Sequence, residues 1–333
     1  MDPVCHTLVG AALAESGLKR TTALATATLI IGANAPDIDA LTYFFGDSLL
    51  WRRGWTHGAL ALVVLPVVLT AVMLAWDRLV RRRRGRQPPQ AARPAPLLGL
   101  AALAVLTHPT LDWMNNYGMR WLMPFDATWF YGDTLFIIDP WLWAALGLGV
   151  LVSRARARRA VRPAGGAGRP ARVALALTLV YVVAMLVGSR YGRTLVLRDL
   201  ARVGHPAPVR LMVAPTFGNP FLKHVVVEVD DAYLTGTAHL IDGAVHLGRT
   251  TRSRKTDHPA IEAATARPEA RGIVGWARFP LYVVEERVDA WLVRIDDARY
   301  APPDDRSWAA TDVVVPKQVT GAATTPSPAV PGS

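Results

Sequence analysis

The stretch Leu106-Thr-His-Pro-Thr-Leu-Asp112 ends an apolar run with a histidine and an aspartate four residues apart. On a helix that spacing puts both side chains on one face. A neutral imidazole and a carboxylate together are a ready ligand pair for a zinc-like divalent ion. Three further polar spots lie at the ends of apolar runs: His6, the segment Pro36-Asp-Ile-Asp39, and His57. In order, the chain spells His, Asp-x-Asp, His, His-x-x-x-Asp. That order points to a metal centre assembled from several helices.

The elements that must position these residues read as membrane helices. Hydrophobic residues make up 51% of the 333 and charged residues only 19%, and the apolar ones concentrate before about residue 190. Residues 58–76 and 171–188 come close to the ~20 residues a helix needs to cross the hydrocarbon. Residues 4–17, 22–35, 95–107 and 140–153 are shorter and read as short or partly polar crossings held by their neighbours. Lys and Arg outnumber Asp and Glu by 37 to 26. Their clusters flank the apolar runs, so the positive-inside rule accounts for them and nucleic-acid binding is not expected. The single Cys5 excludes an intrachain disulfide and a Cys-type zinc motif. No basic n-region with a cleavage site opens the chain, so a removable signal peptide is not expected.

Three basic stretches, Lys19-Arg20, 78–93 and 154–172, set the orientation if each stays in the cytoplasm. Six crossings then follow, with both termini outside. Under that topology His6, Asp37, Asp39, His57, His108, Asp112 and Asp139 all fall at the extracytoplasmic ends of their helices. The loop from Trp113 to Asp139 is rich in Trp, Tyr and Asp and is expected to lie along the membrane surface over the site.

After residue 188 the pattern changes to short, alternating, β-branched runs at 225–229, 232–240, 281–285 and 290–295, with Asp230-Asp231 and Asp242-Gly243 as turn signals. The expected organisation is an α-helical integral membrane domain of about six short helices over 1–190. A small β-rich extracytoplasmic domain follows over 191–314, then a disordered tail over 315–333. Residues 81–96 read as a flexible basic loop. His205, His224, His239, His246 and His258 lack ligand spacing, except for the pair His239 and His246. The tryptophans from Trp51 to Trp143 are most simply interface anchors.

One polar residue at the end of a membrane helix is most simply an anchor. Three His and four Asp on one membrane face, one pair at helical spacing, are harder to explain that way, because such residues are costly to keep and usually functional.

Five motifs carry a resemblance. They are Asp-Pro-x-x-His-Thr-Leu-x-Gly at 2–10, Ala-Pro-Asp-Ile-Asp at 35–39, and Arg-x-Gly-Trp-Thr-His-Gly at 52–58. His-x-x-x-Asp with a following Asn-Tyr-Gly and Pro-Phe covers 108–125, and Ile137-Ile-Asp-Pro140 closes the series. Over residues 1–150 the chain resembles the membrane-bound metal-dependent hydrolases, also described as LexA-binding, inner-membrane-associated hydrolases. More distantly, the ligand order is similar to the zinc-dependent phospholipase C and P1 nuclease superfamily. The resemblance implies His6, Asp37 or Asp39, His57, His108 and Asp112 as ligands, with Asp112 a candidate bridge between two ions. No later His…His-x-x-x-Glu precedes the β-rich region, so one or two ions are expected, zinc first and manganese as the alternative. Asp126, Asp133 or Asp139 would complete the shell or orient a ligating histidine. The expected chemistry is hydrolysis by a metal-activated water, with Asp39 or Asp37, whichever is not a ligand, taking the proton. A site at the membrane surface suggests a lipid-headgroup phosphoester as substrate and membrane lipid as partner, in a multi-pass protein of a bacterial-type inner membrane. The rival reading is a non-enzymatic scaffold whose polar cluster is structural, with an unidentified protein partner. Transport would need ionisable residues deep in the bilayer, whereas these collect at one face with no matching set of His and Asp on the cytoplasmic side.

Overall fold

Asp2 starts the first helix. Its carboxylate accepts hydrogen bonds from the Val4 and Cys5 amides at 3.0 and 3.1 Å, and Pro3 occupies the first helical position, where its missing N–H costs nothing. The computed structural model describes residues 1–46, 48–81, 91–159, 166–229, 232–249, 257–301 and 307–317. It divides into two compact units, Met1–Thr251 and Arg252–Ser333. The first unit begins with α1 (Pro3–Glu15) and α2 (Ala25–Asn34). Pro36 then stops the α-helix, and the chain continues as a 3-10 segment, Ala35–Phe44. After α3 (Ser48–Trp51) come the longer helices α4 (Ala61–Trp76), α5 (Pro94–Trp113), α6 (Pro140–Arg159) and α7 (Arg169–Arg202).

The helices meet through small residues. α1 packs on α2, α6 and α7, and α2 in turn packs on α5, which lies against α4. A Cβ added to Gly10 of α1 would stand 2.6 Å from the Leu29 carbonyl oxygen of α2. One added to Gly149 of α6 would stand 2.3 Å from the Ala174 Cβ of α7. Close backbone approach of this kind is how helices associate where lipid removes the hydrophobic drive.

Three helices are long and apolar enough to cross a membrane: Ala61–Val80, Pro94–Trp113 and Arg169–Arg202. Only 22% of the apolar window of the last is buried, which leaves most of it for lipid. The expected count of six crossings is not supported. α1 has 13 residues and α2 has 10, about 20 and 15 Å of helix, against ~30 Å of hydrocarbon. α6 turns basic at Arg154, Arg156, Arg158 and Arg159.

At 34 residues, α7 is about 50 Å long, more than one bilayer thickness. Its distal part carries Val196 and Leu200 into a core with Leu211, Val213, Val225 and Val227 of a four-stranded antiparallel sheet. The strands lie in the order β1 (Arg210–Thr216), β2 (Asn219–Val229), β3 (Ala232–His239), β4 (Val245–Arg249). A division at 190 therefore falls inside α7. The second unit holds α8 (Pro259–Thr265), α9 (Arg271–Trp276) and a second antiparallel sheet, β5 (Pro280–Glu286), β6 (Ala290–Asp297), β7 (Thr311–Pro316), around Trp276, Phe279 and Ile295. The alternating runs predicted from sequence lie in β2, β3, β5 and β6, whereas β1, β4 and β7 were not anticipated. The turn at 230–231, most of the basic loop at 81–96 and residues 318–333 of the expected tail lie outside the described residues, while Val315 and Pro316 of that tail belong to β7.

Three contacts in the first unit bring several elements to one end of the bundle. The Asp2 amide donates to Ile137 O at 3.2 Å, Ser189 Oγ donates to Asp133 O at 2.9 Å, and Trp141 Nε1 donates to Gly218 O at 3.1 Å. The starts of α1 and α6, the middle of α7 and the β1–β2 turn therefore share that end. Gly168, whose added Cβ would lie 2.6 Å from Glu15 O, marks the opposite end.

The α1–α2 contact gives a direct test. Gly10→Val is expected to force the two helices apart and destabilise the protein by about 1–3 kcal/mol, read from unfolding in detergent. Wild-type stability in that variant would contradict the packing described.

Candidate metal centre

Six side chains from four segments meet at this end. His6 comes from the first turn of α1, Asp37 and Asp39 from the 3-10 segment, and His57 from the turn before α4. His108 and Asp112 come from the last two turns of α5. His6, His57, His108 and Asp112 have no solvent exposure. The i,i+4 spacing of His108 and Asp112 works as the sequence implies, with His108 Nε2 3.6 Å from Asp112 Oδ2.

The neighbours of the two central histidines fix what each ring presents. His108 Nδ1 is 2.6 Å from the Ala33 carbonyl oxygen, which can only accept, so Nδ1 carries the proton and Nε2 carries the lone pair. His57 Nδ1 lies 2.9 Å from Thr56 Oγ1 and 3.3 Å from Asp39 Oδ2, which commits its proton in the same way. The two Nε2 atoms then face each other at 3.2 Å, and with both rings neutral each presents a lone pair. Asp112 Oδ2 lies 3.4 Å from His57 Nε2 and, though buried, accepts no well-aligned hydrogen bond among the described residues. Three donor atoms thus form a triangle with edges of 3.2, 3.4 and 3.6 Å. Ligands at zinc distances around a tetrahedral ion stand about 3.3–3.6 Å apart. Asp37 Oδ1, 3.7 Å from His108 Nε2, is the fourth member of the cluster, all four atoms lying within 4.8 Å of one another. The donor set therefore fits a divalent cation.

Asp37 and Asp39 have different surroundings. Asp39 turns to His57, and its Oδ2 also accepts from the Arg53 amide at 2.8 Å and from Thr56 Oγ1 at 3.0 Å. Burial alone would raise its carboxyl pKa. The hydrogen bond and charge of His57, with Arg52 and the Arg53 amide, instead hold it below the usual carboxylate range. For His57, burial works against the charged form, yet Asp112 and Asp39 raise its pKa above the ordinary imidazole value. Those carboxylates attract positive charge to this spot. Asp37 is the more open of the two aspartates, with Arg52 Nη2 at 3.4 Å.

On its other side, Asp112 Oδ1 faces His6 Nε2 at 3.3 Å and pairs with the Met1 amino group. The His6 ring stacks on His108 with centroids 3.7 Å apart. Arg53 Nε lies 2.9 Å from Asp112 Oδ2, and its Nη1 donates to Asn115 Oδ1 and Gly118 O.

The other acidic residues singled out in the sequence have their own partners. The Asp126 carboxylate accepts from the Thr128 amide and hydroxyl, Asp133 takes a left-handed backbone (φ +49°), and Asp139 caps α6 and accepts from Tyr181. Sequence reading assigned no role to Arg52, Arg53, Thr56 or Asn115. A signal was available, since two adjacent arginines open the stretch at 52–58 that carries His57.

Comparison with known families gives one match. The model of the YdjM inner membrane protein family covers residues 1–196, and the chain belongs to that family. No curated protein and no solved structure matches.

The orientation of His57 by Asp39 can be tested alone. Asp39→Asn is expected to weaken zinc binding about 10- to 100-fold, as loss of a carboxylate behind a ligating histidine does, with helix content unchanged. Competition titration against a chromophoric chelator measures this, and an unchanged affinity would contradict the role.

Proposed function

From its membership of the YdjM inner membrane protein family and the geometry of its buried cluster, we propose that this protein is a membrane-bound, metal-dependent hydrolase of phosphoesters. The observation that supports this most is the facing pair of imidazoles. Two Nε2 atoms lie 3.2 Å apart, each ring with a partner on Nδ1 that leaves Nε2 to a ligand when the ring is neutral, beside a buried carboxylate oxygen. His57, His108 and Asp112 are the three ligands, and a site with three protein ligands keeps a position open for chemistry. Asp112 Oδ1, which partners the Met1 amino group, and His6 would be the residues to hold a second ion, should two bind. Zinc suits two imidazoles and a carboxylate at these separations, with manganese the alternative.

A divalent ion held there would lower the pKa of a water toward ~7 and offset charge developing on a phosphoryl oxygen. The remaining work falls to the chain. Asp37, partly open and beside the triangle, is the proton acceptor. Asp39 suits that role less, because it already accepts from three groups and is held low in pKa. Its part is to fix the His57 tautomer. Arg53 balances the Asp112 charge, and Arg52, with Nη1 3.0 Å from Asp39 Oδ1 and Nη2 on Asp37, is placed to receive an anionic oxygen of the substrate. A lipid headgroup is the proposed substrate, since the centre lies at the ends of membrane-length helices. The centre and the first sheet are assigned to the extracytoplasmic side of a multi-pass protein. Lys19, Arg20 and Arg154 lie at the opposite end, where the positive-inside rule puts the cytoplasm.

Two variants separate ligand from base in a phosphodiester assay run with metal analysis. His108→Ala is expected to lose both metal and activity. Asp37→Asn is expected to keep at least one equivalent of metal and lose activity 100-fold or more. A wild type that binds metal and hydrolyses no phosphodiester, with variants that lose stability alone, would favour the structural scaffold.

A further inference from the structure

The rim of the centre is built from residues that water would not favour. The 3-10 segment bearing Asp37 and Asp39 also bears Leu41 and Phe44 and runs into Phe45. Phe44 is 81% exposed and Phe45 86%. Trp51 and Trp55 follow, each about half exposed, and Phe125 on the neighbouring loop is 81% exposed. These parts are joined. Arg120 Nη2 donates to the Leu50 and Arg52 carbonyls at 2.8 and 2.9 Å, the Ala59 amide donates to Trp121 O, and the Arg52 guanidinium lies over the Tyr43 ring. The result is a lip of exposed large apolar side chains beside Asp37 and Arg52. Single exposed apolar residues are ordinary, but a contiguous cluster of aromatics marks an interaction surface.

The position of the lip identifies its partner. It is continuous in sequence with α4, which starts six residues after Trp55 and whose Val63, Val64, Val67 and Val68 are exposed along a membrane-length apolar helix. Trp113 closes α5 at this same end, and Trp76 stands at the far end of α4. Tryptophans at both ends of a span mark the two bilayer interfaces. Charge agrees with the assignment, because the part-exposed cation beside the lip is Arg52, suited to an anionic headgroup.

We propose that this lip lies in the bilayer interface and that the centre receives its substrate sideways from the membrane. The substrate is an amphiphile with a phosphate-bearing headgroup, whose chains stay in lipid while the headgroup reaches Arg52 and Asp37. The insertion of the lip stands on exposure and position alone. The nature of the substrate rests on the hydrolase reading above.

The test uses the full-length protein in lipid nanodiscs. In a Cys5→Ser background, Phe45→Cys, Phe125→Cys and, as reference, Asp242→Cys in the β3–β4 turn are labelled with an environment-sensitive fluorophore. Brominated lipids are expected to quench positions 45 and 125 several-fold more than position 242. Equal quenching at all three, or a water-like emission at 45 and 125, would overturn the insertion and leave the lip to a protein partner. A second arm compares a phosphodiester in vesicles with a water-soluble one. Phe44→Ser/Phe45→Ser is expected to lose at least tenfold on the vesicle substrate and to keep wild-type activity on the soluble one. Equal loss on both, or loss on neither, would overturn sideways delivery. If the wild type cleaves neither substrate, the hydrolase reading falls and substrate delivery falls with it, while the quenching result still decides the lip.

Discussion

A carboxylate with no exposure, enclosed by helix ends, is the constraint on which the rest of this structure depends. Removing Asp112 from water costs several kcal/mol unless positive charge and hydrogen bonds replace the lost solvation. The protein surrounds it with Arg53, His57, His108, His6 and the Met1 amino group. One oxygen faces His6, and the other lies between the Arg53 guanidinium and the His57–His108 pair, with no well-aligned hydrogen bond among the described residues. With Arg53 balancing the carboxylate charge, Oδ2 keeps a lone pair for an ion held against the two imidazoles.

Several local features make sense as means of holding that arrangement. Arg53 adopts a left-handed backbone (φ +51°), which costs a non-glycine residue of order 1–3 kcal/mol and persists only where its surroundings over-determine it. Here its amide is bound to Asp39, its guanidinium to Asp112, Asn115 and Gly118, and its plane lies over Tyr117. The loop that supplies Gly118 is tied back by the Arg120 amide on Arg53 O. The short α1 and α2 fit the same account. They are too short to span, and their function is to carry His6 and the Ala33 carbonyl to the depth where α5 presents His108. Gly10 permits the close approach that this requires.

The sequence showed the part of this that depends on spacing and residue type. His108 and Asp112 face one way because four residues make about one helical turn, and the order of the remaining His and Asp residues implied one shared site. Two other matters depend on length and environment and were harder to read. Apolar runs of 10–14 residues look alike whether they cross a membrane or stop halfway, so six crossings were expected where three helices have the length. The division of labour between Asp37 and Asp39 is set by Thr56 and the Arg53 amide, and neither announces itself in sequence. β1, β4 and β7 were missed because β1 contains Pro215, β4 is only five residues long and β7 runs into a polar tail. Tertiary pairing on their neighbours makes them strands.

The most direct measurement is X-ray absorption at the zinc edge on the detergent-purified, zinc-loaded protein. The expected spectrum has a first shell of nitrogen and oxygen at about 2.0–2.1 Å, with the outer-shell pattern of two imidazoles, and loses one imidazole in His57→Ala. An absence of stoichiometric zinc, or a spectrum of oxygen ligands without imidazole, would contradict the claim that the facing histidines form a metal centre.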